Sequence, residues 1–207
     1  MKRGSIFLTL SFCFALFTAI SSNAISGDSH HHKKNGVDHV SGASKKAHKK
    51  AVMPPVSENY KVFKLDGVKN YIVKYDNKMY RGGEMQTKAG AEALKKLGVN
   101  TIVSITPTDE ERKMTKELGL KLVEIEFNKK EGVSADQLKS FLSMVHKEEG
   151  PFYVHCHGGN HRAGILAAAY RIHEQKWSKD KALLEFGYLG GSLKDDFVMI
   201  QSITKTN

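Results

Sequence analysis

The sequence predicts an α/β fold in which a central, mostly parallel sheet is flanked by helices. Three observations lead to this fold class. Short runs rich in β-branched and aromatic residues alternate along the chain with segments of helical periodicity. One such run, residues 100–106, is dominated by β-branched residues, as is common for a strand buried within a sheet. Gly98, Gly119 and Gly150 each end a helical segment, so helices and strands follow one another through short connections.

The predicted strands are short segments in which β-branched and aromatic residues are frequent. They are residues 60–65, 71–75, 100–106, 121–127 and 152–154. Asp76 and Asn77 are typical turn residues, and they lead into the segment 78–83.

The predicted helices have apolar residues at helical spacing and recognisable ends. They are residues 87–97, 109–118, 134–149, 162–175, 178–188 and 192–206. Ser134 and Gln137 have the spacing of a capping box, in which each side chain bonds to the backbone of the other residue.

The first 24 residues have the features of a secretory signal peptide. Lys2 and Arg3 form a basic start, residues 6–20 are apolar, and residues 22–24 form a small-x-small cleavage site. We therefore expect this segment to be removed on export to the periplasm or the medium, leaving no stable membrane anchor. The alternative is an uncleaved anchor, although the apolar run is short for a bilayer span.

Residues 25–55 form a predicted disordered linker, and residues 56–207 form the predicted folded domain. The linker is rich in Ser, Gly, His and Lys, and it ends at Pro54-Pro55. Its histidines offer a weak metal site, but a solvated tether explains them more simply.

The chain has a net charge of +10, with 32 Lys and Arg against 22 Asp and Glu. An excess of basic over acidic residues favours anionic partners such as phosphate esters, nucleic acid or lipid headgroups, but it does not distinguish among them. Of the two cysteines, Cys13 lies within the predicted signal peptide. Cys156 is then the single thiol of the mature chain, which excludes an internal disulfide and singles it out as a reactive thiol.

Residues 154–164, VHCHGGNHRAG, carry the side chains best suited to chemistry. Cys156 follows a predicted strand, at the edge where ligands bind in open α/β sheets. Gly158 and Gly159 allow positive φ angles, so that successive backbone N–H groups can converge on an anion. Arg162, at the start of the next helix, offers a bidentate fork for phosphate oxygens. The same positive field favours the thiolate of Cys156, which is its nucleophilic form.

The pattern His155-Cys156, five residues, then Arg162, with Gly159 inside it, resembles the signature of the protein tyrosine phosphatase superfamily. The order of the flanking elements resembles the compact dual-specificity branch over residues 58–205. The resemblance implies that Cys156 forms a phosphocysteine, that Arg162 binds phosphate and stabilises the transition state, and that His155 orients the loop. It also implies a phosphate loop between strand and helix that is made of His157, Gly158, Gly159, Asn160, His161, Arg162, Ala163 and Gly164.

Two departures from that signature affect the expected reaction. Ala163 stands where the family usually has Ser or Thr, whose hydroxyl assists departure of the thiolate, so we expect slower hydrolysis of the intermediate. The family's general acid is usually an aspartate in an upstream loop, but residues 128–132 contain none. Glu131 is the expected acid, and Asp136 and Asp109 are the alternatives.

The expected partner is a phosphorylated small molecule or a phosphoprotein. We expect a monomer that binds it without a metal or other cofactor and that does not bind nucleic acid. Lys129, Lys130 and Arg81, together with the loop histidines, predict excess positive charge at the pocket. That charge favours inositol polyphosphates, on which some bacterial members of the superfamily act as phytases, over phosphotyrosine proteins.

Other classes of protein fit parts of the sequence. The loop histidines and Cys156 are potential metal ligands, although adjacent ligands on one loop seldom complete a tetrahedral site. A phosphate-binding module without turnover agrees with Ala163 and with the missing aspartate. Sulfur-transfer domains also use a loop cysteine, but their loop is normally one residue shorter.

Overall fold

The computed structural model describes residues 53–205. The predicted signal peptide and most of the predicted linker lie outside the described residues. Within the described part, six strands form one sheet. They are β1 (Lys61–Phe63), β2 (Ile72–Lys74), β3 (Met79–Gly82), β4 (Thr101–Ser104), β5 (Lys121–Glu124) and β6 (Phe152–His155).

The sheet is mixed, with the strand order β1-β2-β3-β6-β4-β5. β3, β6, β4 and β5 run parallel to one another, whereas β1 and β2 are antiparallel additions at one edge. The predicted α/β class with a mostly parallel sheet is therefore confirmed. Because β6 lies between β3 and β4, the residues that follow it emerge at the carboxyl edge of the parallel strands, where ligands bind in such sheets.

Six helices accompany this sheet in the described residues. They are α1 (Lys88–Lys96), α2 (Asp109–Glu117), α3 (Ala135–Lys147), α4 (Arg162–His173), α5 (Lys179–Tyr188) and α6 (Phe197–Thr204). The predicted capping box is present at the start of α3, with the side chains of Ser134 and Gln137 each accepting from the other's backbone N–H. Among residues 53–205, no helix combines the length and the apolar character needed to cross a membrane.

The last helix begins later than the sequence predicts. The predicted start is residue 192, but α6 begins at Phe197. In the intervening turn, Asp195 N donates to Ser192 Oγ at 3.1 Å and Ser192 N donates to Asp196 Oδ2 at 2.9 Å. Such side-chain bonds to the backbone compete with helical hydrogen bonds, and here they delay the helix.

The core consists of two clusters that share the sheet. Side chains alternate along β6, so Phe152 and Val154 join the cluster formed with α3 to α6, while Tyr153 joins the cluster formed with α1 and α2. α4 runs through the larger cluster, and its residues 163–171 are buried. Close packing on all sides holds α4 rigidly, and this fixes the end of the loop that precedes it.

Candidate active site

Residues 156–161, here called the Cys156 loop, connect β6 to α4, and two of their carbonyl groups accept hydrogen bonds from the surrounding scaffold. Glu84 N donates to His157 O at 3.3 Å, and Asn70 Nδ2 donates to Gly158 O at 2.8 Å. Among the described residues, no backbone N–H of residues 157–161 donates a hydrogen bond to another group. The loop therefore presents a series of unpartnered N–H donors, which is the arrangement that binds tetrahedral anions.

Gly159 turns this loop against β3. Its φ is +80°, in the left-handed region that favours glycine, and a Cβ here would lie 2.4 Å from the carbonyl carbon of Gly82. Gly158 has no positive φ, and a Cβ there would meet Asn70 Nδ2 at 3.7 Å. The expectation that both glycines supply positive φ angles is therefore wrong for Gly158, since one left-handed residue is enough to close the loop.

Cys156 and Arg162 stand at opposite ends of the loop. Cys156 is 3% exposed and directly follows the central strand. Arg162 is the first residue of α4 and is partly exposed. The positive end of the α4 dipole adds to the guanidinium charge. A buried thiol, free N–H donors and a cation thus share one short loop, and together they can bind a phosphoryl group and attack it.

His155, which precedes the thiol, is held by a buried carboxylate. Its Nε2 lies 2.5 Å from Glu111 Oε1, and Ser104 Oγ donates to Glu111 Oε2 at 2.7 Å. The Tyr153 ring stacks on the imidazole, with 5.6 Å between the ring centroids. These contacts fix the His155 ring and hence the end of β6.

His157 is held at the surface of the loop by Glu84 and Lys69. Its Nδ1 lies 2.7 Å from Glu84 Oε2, and Lys69 Nζ lies 2.6 Å from its Nε2. An ammonium group can only donate, so Nε2 accepts and a neutral His157 carries its proton on Nδ1. Burial acts to raise the pKa of Glu84, but the hydrogen bonds from His157 and Lys69 outweigh it and lower the pKa overall.

His161 is held by Asp196, which the turn before α6 places next to the loop. His161 Nδ1 lies 2.5 Å from Asp196 Oδ2, and Lys129 Nζ donates to Asp196 Oδ1 at 2.8 Å. The Asp196 side chain is fully buried, whereas 39% of the His161 side chain is exposed. Burial acts to raise the pKa of Asp196, but hydrogen bonds from His161, Lys129 and the Ser192 backbone lower it overall. The carboxylate is therefore ionised at neutral pH.

The carboxylates predicted as general acids make other contacts. Glu131 is exposed, and its Oε2 accepts from Asn128 Nδ2 at 2.9 Å. Asp136 lies in the first turn of α3, and Asp109 is paired with Arg112 at 2.8 Å. Within residues 53–205, none of these three carboxylates is hydrogen-bonded to the Cys156 loop, and the role of Glu131 stays a prediction.

The three cations predicted to bind substrate occupy different environments. Lys130 is exposed, and Lys129 reaches the loop indirectly, through Asp196. Arg81 is fully buried, and its Nη2 donates to Leu189 O at 2.9 Å. The expectation that Arg81 reaches the pocket mouth is wrong, because its place in β3 directs the side chain into the core under α4, where a Cβ on Gly164 would lie 2.7 Å from its Nη1.

The sequence does not indicate the three carboxylates that hold His155 and the two loop histidines, His157 and His161. Glu111, Glu84 and Asp196 lie 44, 73 and 35 residues from their partners. For Glu111 one weak signal existed, since helical spacing puts it on the same buried face as Thr115. Each of these histidines is hydrogen-bonded to a different carboxylate. The part of the chain that the structure describes contains no cluster of three or more potential metal ligands.

A protein-family model matches residues 56–195, which is most of the described chain. Its description is PTP-NADK, a DSP-PTPase phosphatase fused to NAD+ kinase. The match includes the whole Cys156 loop, β1 to β6 and the carboxylates that hold the loop histidines, apart from Asp196.

Individual relatives of the chain are also phosphatases. The dual specificity protein phosphatase TpbA of Pseudomonas aeruginosa is 33% identical over 104 residues, which cover 50% of this chain and 47% of the relative. The chain thus spans about half the length of the curated relatives it matches.

Solved structures share the fold. A crystal structure of P. aeruginosa TpbA superimposes with a TM-score of 0.58 at 25% identity, covering 70% of this chain and 91% of that chain. A variant of TpbA in complex with phosphotyrosine gives a TM-score of 0.60 at 24% identity, covering 73% and 92%. The core catalytic domain of the S. cerevisiae PP-IP phosphatase SIW14 gives 0.50 at 22% identity, covering 72% and 86%.

Proposed function

Because the chain belongs to the DSP-PTPase family of phosphatases, we propose that it hydrolyses phosphomonoesters through a covalent phosphocysteine on Cys156. One observation carries this proposal: a buried thiol lies in a loop whose N–H donors have no partners among the described residues. Unpaired backbone donors cost free energy unless water or a ligand supplies acceptors. A loop built in this way is organised around an anion.

In the proposed reaction, the loop N–H groups and the Arg162 guanidinium hold the three nonbridging oxygens of the phosphoryl group. The Cys156 thiolate attacks phosphorus in line with the ester oxygen, which leaves with a proton. Water then attacks the phosphocysteine and releases phosphate. Arg162 and the positive end of α4 stabilise the charge that develops on the phosphoryl oxygens in both steps.

Phosphotyrosine proteins are the first substrate class in this proposal. Leu193 and Phe197 are 51% and 56% exposed, and in the sequence they precede and follow Asp196, which contacts the loop through His161. Exposed apolar side chains in the segment that carries Asp196 suit an aromatic phosphate ester better than a polar polyol. The structure of the similar phosphatase TpbA in complex with phosphotyrosine supports the same choice.

Inositol polyphosphates are the second substrate class, and the lysines near the loop favour them. Two of these lysines are paired with carboxylates, Lys129 with Asp196 and Lys69 with Glu84. The pairs reduce the excess positive charge that the sequence indicates. We therefore rank polyphosphates below aryl phosphates, in contrast to the ranking from the sequence.

Hydrolysis of p-nitrophenyl phosphate tests the proposed activity. We expect turnover that persists in a metal chelator and disappears in Cys156→Ser, because a serine hydroxyl is a far weaker nucleophile at neutral pH. A melting curve confirms that the variant is folded. Metal-dependent turnover, or full activity in Cys156→Ser, would contradict the proposal. Phosphate that protects the thiol from alkylation without any turnover would identify a binding module instead.

A comparison of phosphate release from a phosphotyrosine peptide and from inositol hexakisphosphate ranks the two substrate classes. We expect the larger kcat/KM for the peptide. The reverse order would overturn the ranking while leaving the proposed phosphatase activity intact.

A further inference from the structure

The loop after β5 offers no aspartate as the general acid, and the structure offers a histidine in the Cys156 loop. We propose that His161, oriented by Asp196, is the general acid of the reaction, an inference that rests on the proposed phosphatase function. His161 is the N-cap residue of α4, next to Arg162, but its side chain makes no capping hydrogen bond. Its ring is therefore available for another role.

Among the described residues, His161 is the one histidine near the thiol with an accessible, unpaired ring nitrogen. His155 is only 1% exposed. His157 uses both of its ring nitrogens, one with Glu84 and one with Lys69. His161 uses Nδ1 alone, and its side chain is 39% exposed, which leaves Nε2 open beside the anion-binding loop.

Asp196 sets the orientation and the tautomer of His161. Its carboxylate is fully buried, and its Oδ2 lies 2.5 Å from His161 Nδ1. An acceptor at that position requires a proton on Nδ1, so the second proton of the imidazolium is on Nε2. The carboxylate fixes the ring and its tautomer, as carboxylates do in other histidine-dependent hydrolases.

Asp196 itself does not serve as the acid. Its pKa is lowered, so at neutral pH it holds no proton to donate, and both of its oxygens already accept hydrogen bonds. Lys129 is paired with the same carboxylate, at 2.8 Å. Asp196 is therefore a positioning residue, held between the loop after β5 and the Cys156 loop.

The proposed proton transfer balances with the covalent step. As the Cys156 thiolate bonds to phosphorus, the ester P–O bond breaks and its electron pair stays on the leaving oxygen. That oxygen takes the proton from His161 Nε2 and departs as a phenol or an alcohol. In the second step, water bonds to phosphorus and gives a proton to Nε2. The S–P bond then breaks, and the thiolate and orthophosphate are released.

Three charged residues are placed around His161 by the contacts of the structure. Asp196 is bonded to its Nδ1, Lys129 is bonded to the same carboxylate, and Arg162 is the next residue in the chain. Because the acid must be protonated, its loss of the proton appears as the alkaline limb of the kcat/KM profile.

The test compares His161→Gln with His146→Gln. The control removes an exposed histidine on α3 that is paired with Glu174 in the same way, 3.2 Å from Nδ1 to the carboxylate. Both variants are assayed on phenyl phosphate, whose leaving group needs a proton, and on p-nitrophenyl phosphate, whose leaving group needs it much less. For His161→Gln we expect kcat/KM on phenyl phosphate to fall about 10²–10³-fold. We expect a much smaller loss on p-nitrophenyl phosphate and no alkaline limb, while His146→Gln keeps the wild-type pattern.

Asp196→Asn tests the positioning role. We expect kcat/KM to fall more on phenyl phosphate than on p-nitrophenyl phosphate, as in His161→Gln, because the ring loses the acceptor that orients it. If His161→Gln keeps the limb and the wild-type dependence on the leaving group, the inference is wrong although the phosphatase activity stands. Loss of the limb in Glu131→Gln alone would make Glu131 the acid. A wild-type protein without Cys156-dependent activity would instead refute the proposed function itself.

Discussion

At the scale of single residues, the Cys156 loop is held by carboxylates from three separate parts of the chain. They are Glu111 in α2, Glu84 after β3 and Asp196 before α6. Each one fixes a histidine of the loop or of the strand end before it. A loop that is fixed on three sides holds its unpartnered N–H donors in place before substrate arrives, and such preorganisation favours the transition state.

The sequence predicts the motif residues but not the partners that hold them. Cys156, Gly159 and Arg162 belong to one short segment, so their spacing alone indicates their roles. The carboxylates are distant in the sequence and lie in ordinary charged segments, and only the folded chain brings them to the loop. Arg81 is the opposite case, because a cation that the sequence places near the pocket is buried in the core.

Ala163 leads to a prediction about the second step. This residue is fully buried at the start of α4, where the family usually has a hydroxyl that assists departure of the thiolate. We expect Ala163→Ser to raise kcat about tenfold, equivalent to roughly 1.4 kcal/mol of barrier, if breakdown of the phosphocysteine limits turnover. Stopped-flow assays should show a burst of p-nitrophenol in the wild type that shrinks in the variant.

Ala167→Ser is the control for that substitution, since Ala167 is buried one turn further along α4. It adds the same hydroxyl away from the thiol and should leave the burst unchanged. An unaltered kcat in Ala163→Ser would argue against a limiting second step.

At the scale of elements, the turn of the loop depends on one glycine. Gly159→Ala would put a Cβ 2.4 Å from the Gly82 carbonyl carbon at a φ of +80°. We expect this substitution to lower the free energy of unfolding by about 1–3 kcal/mol, the usual cost of a strained backbone. We also expect it to abolish most of the activity. Gly158→Ala is the matched control, because its Cβ has space and its φ is not positive. Urea denaturation and kcat/KM measure both effects, and equal losses in the two variants would contradict this reading of the loop.

Element boundaries were predictable where a local pattern defines them. Ser134 and Gln137 form the predicted capping box, and α3 begins there. The start of α6 was not predictable in the same way. The backbone N–H of Ser192 donates to the Asp196 side chain, and this bond stabilises a turn instead of a helix. That turn is also what brings Asp196 to His161, so the misplaced boundary and the missed carboxylate have one cause.

At the scale of the whole molecule, the alternation of strands and helices is enough to predict a mostly parallel sheet. The strand order is not predictable from it, because β6 pairs with β3 and β4 over long separations in the sequence. This order places the strand before Cys156 at the centre of the parallel part, with helices packed around it. The central position explains why the thiol is buried although its loop is at the edge of the sheet.

Export of the chain stays a prediction at this scale. We propose that the first 24 residues are removed on secretion, because a basic start, an apolar run and a small-x-small site follow one another there. Sequencing the amino terminus of the protein purified from its native host checks this, with Ile25 expected as the first residue. A mature protein that begins at Met1 would contradict it.

The central claim is that Cys156 carries the phosphoryl group during turnover. The most direct measurement is a rapid quench in denaturant with radiolabelled p-nitrophenyl phosphate, followed by peptide mapping. We predict label on the sulfur of Cys156 in the wild type, accumulating within the first turnover, and no labelled protein in Cys156→Ser. Label on a histidine of the loop, or phosphate released at the full rate with no labelled residue at any quench time, would contradict the account.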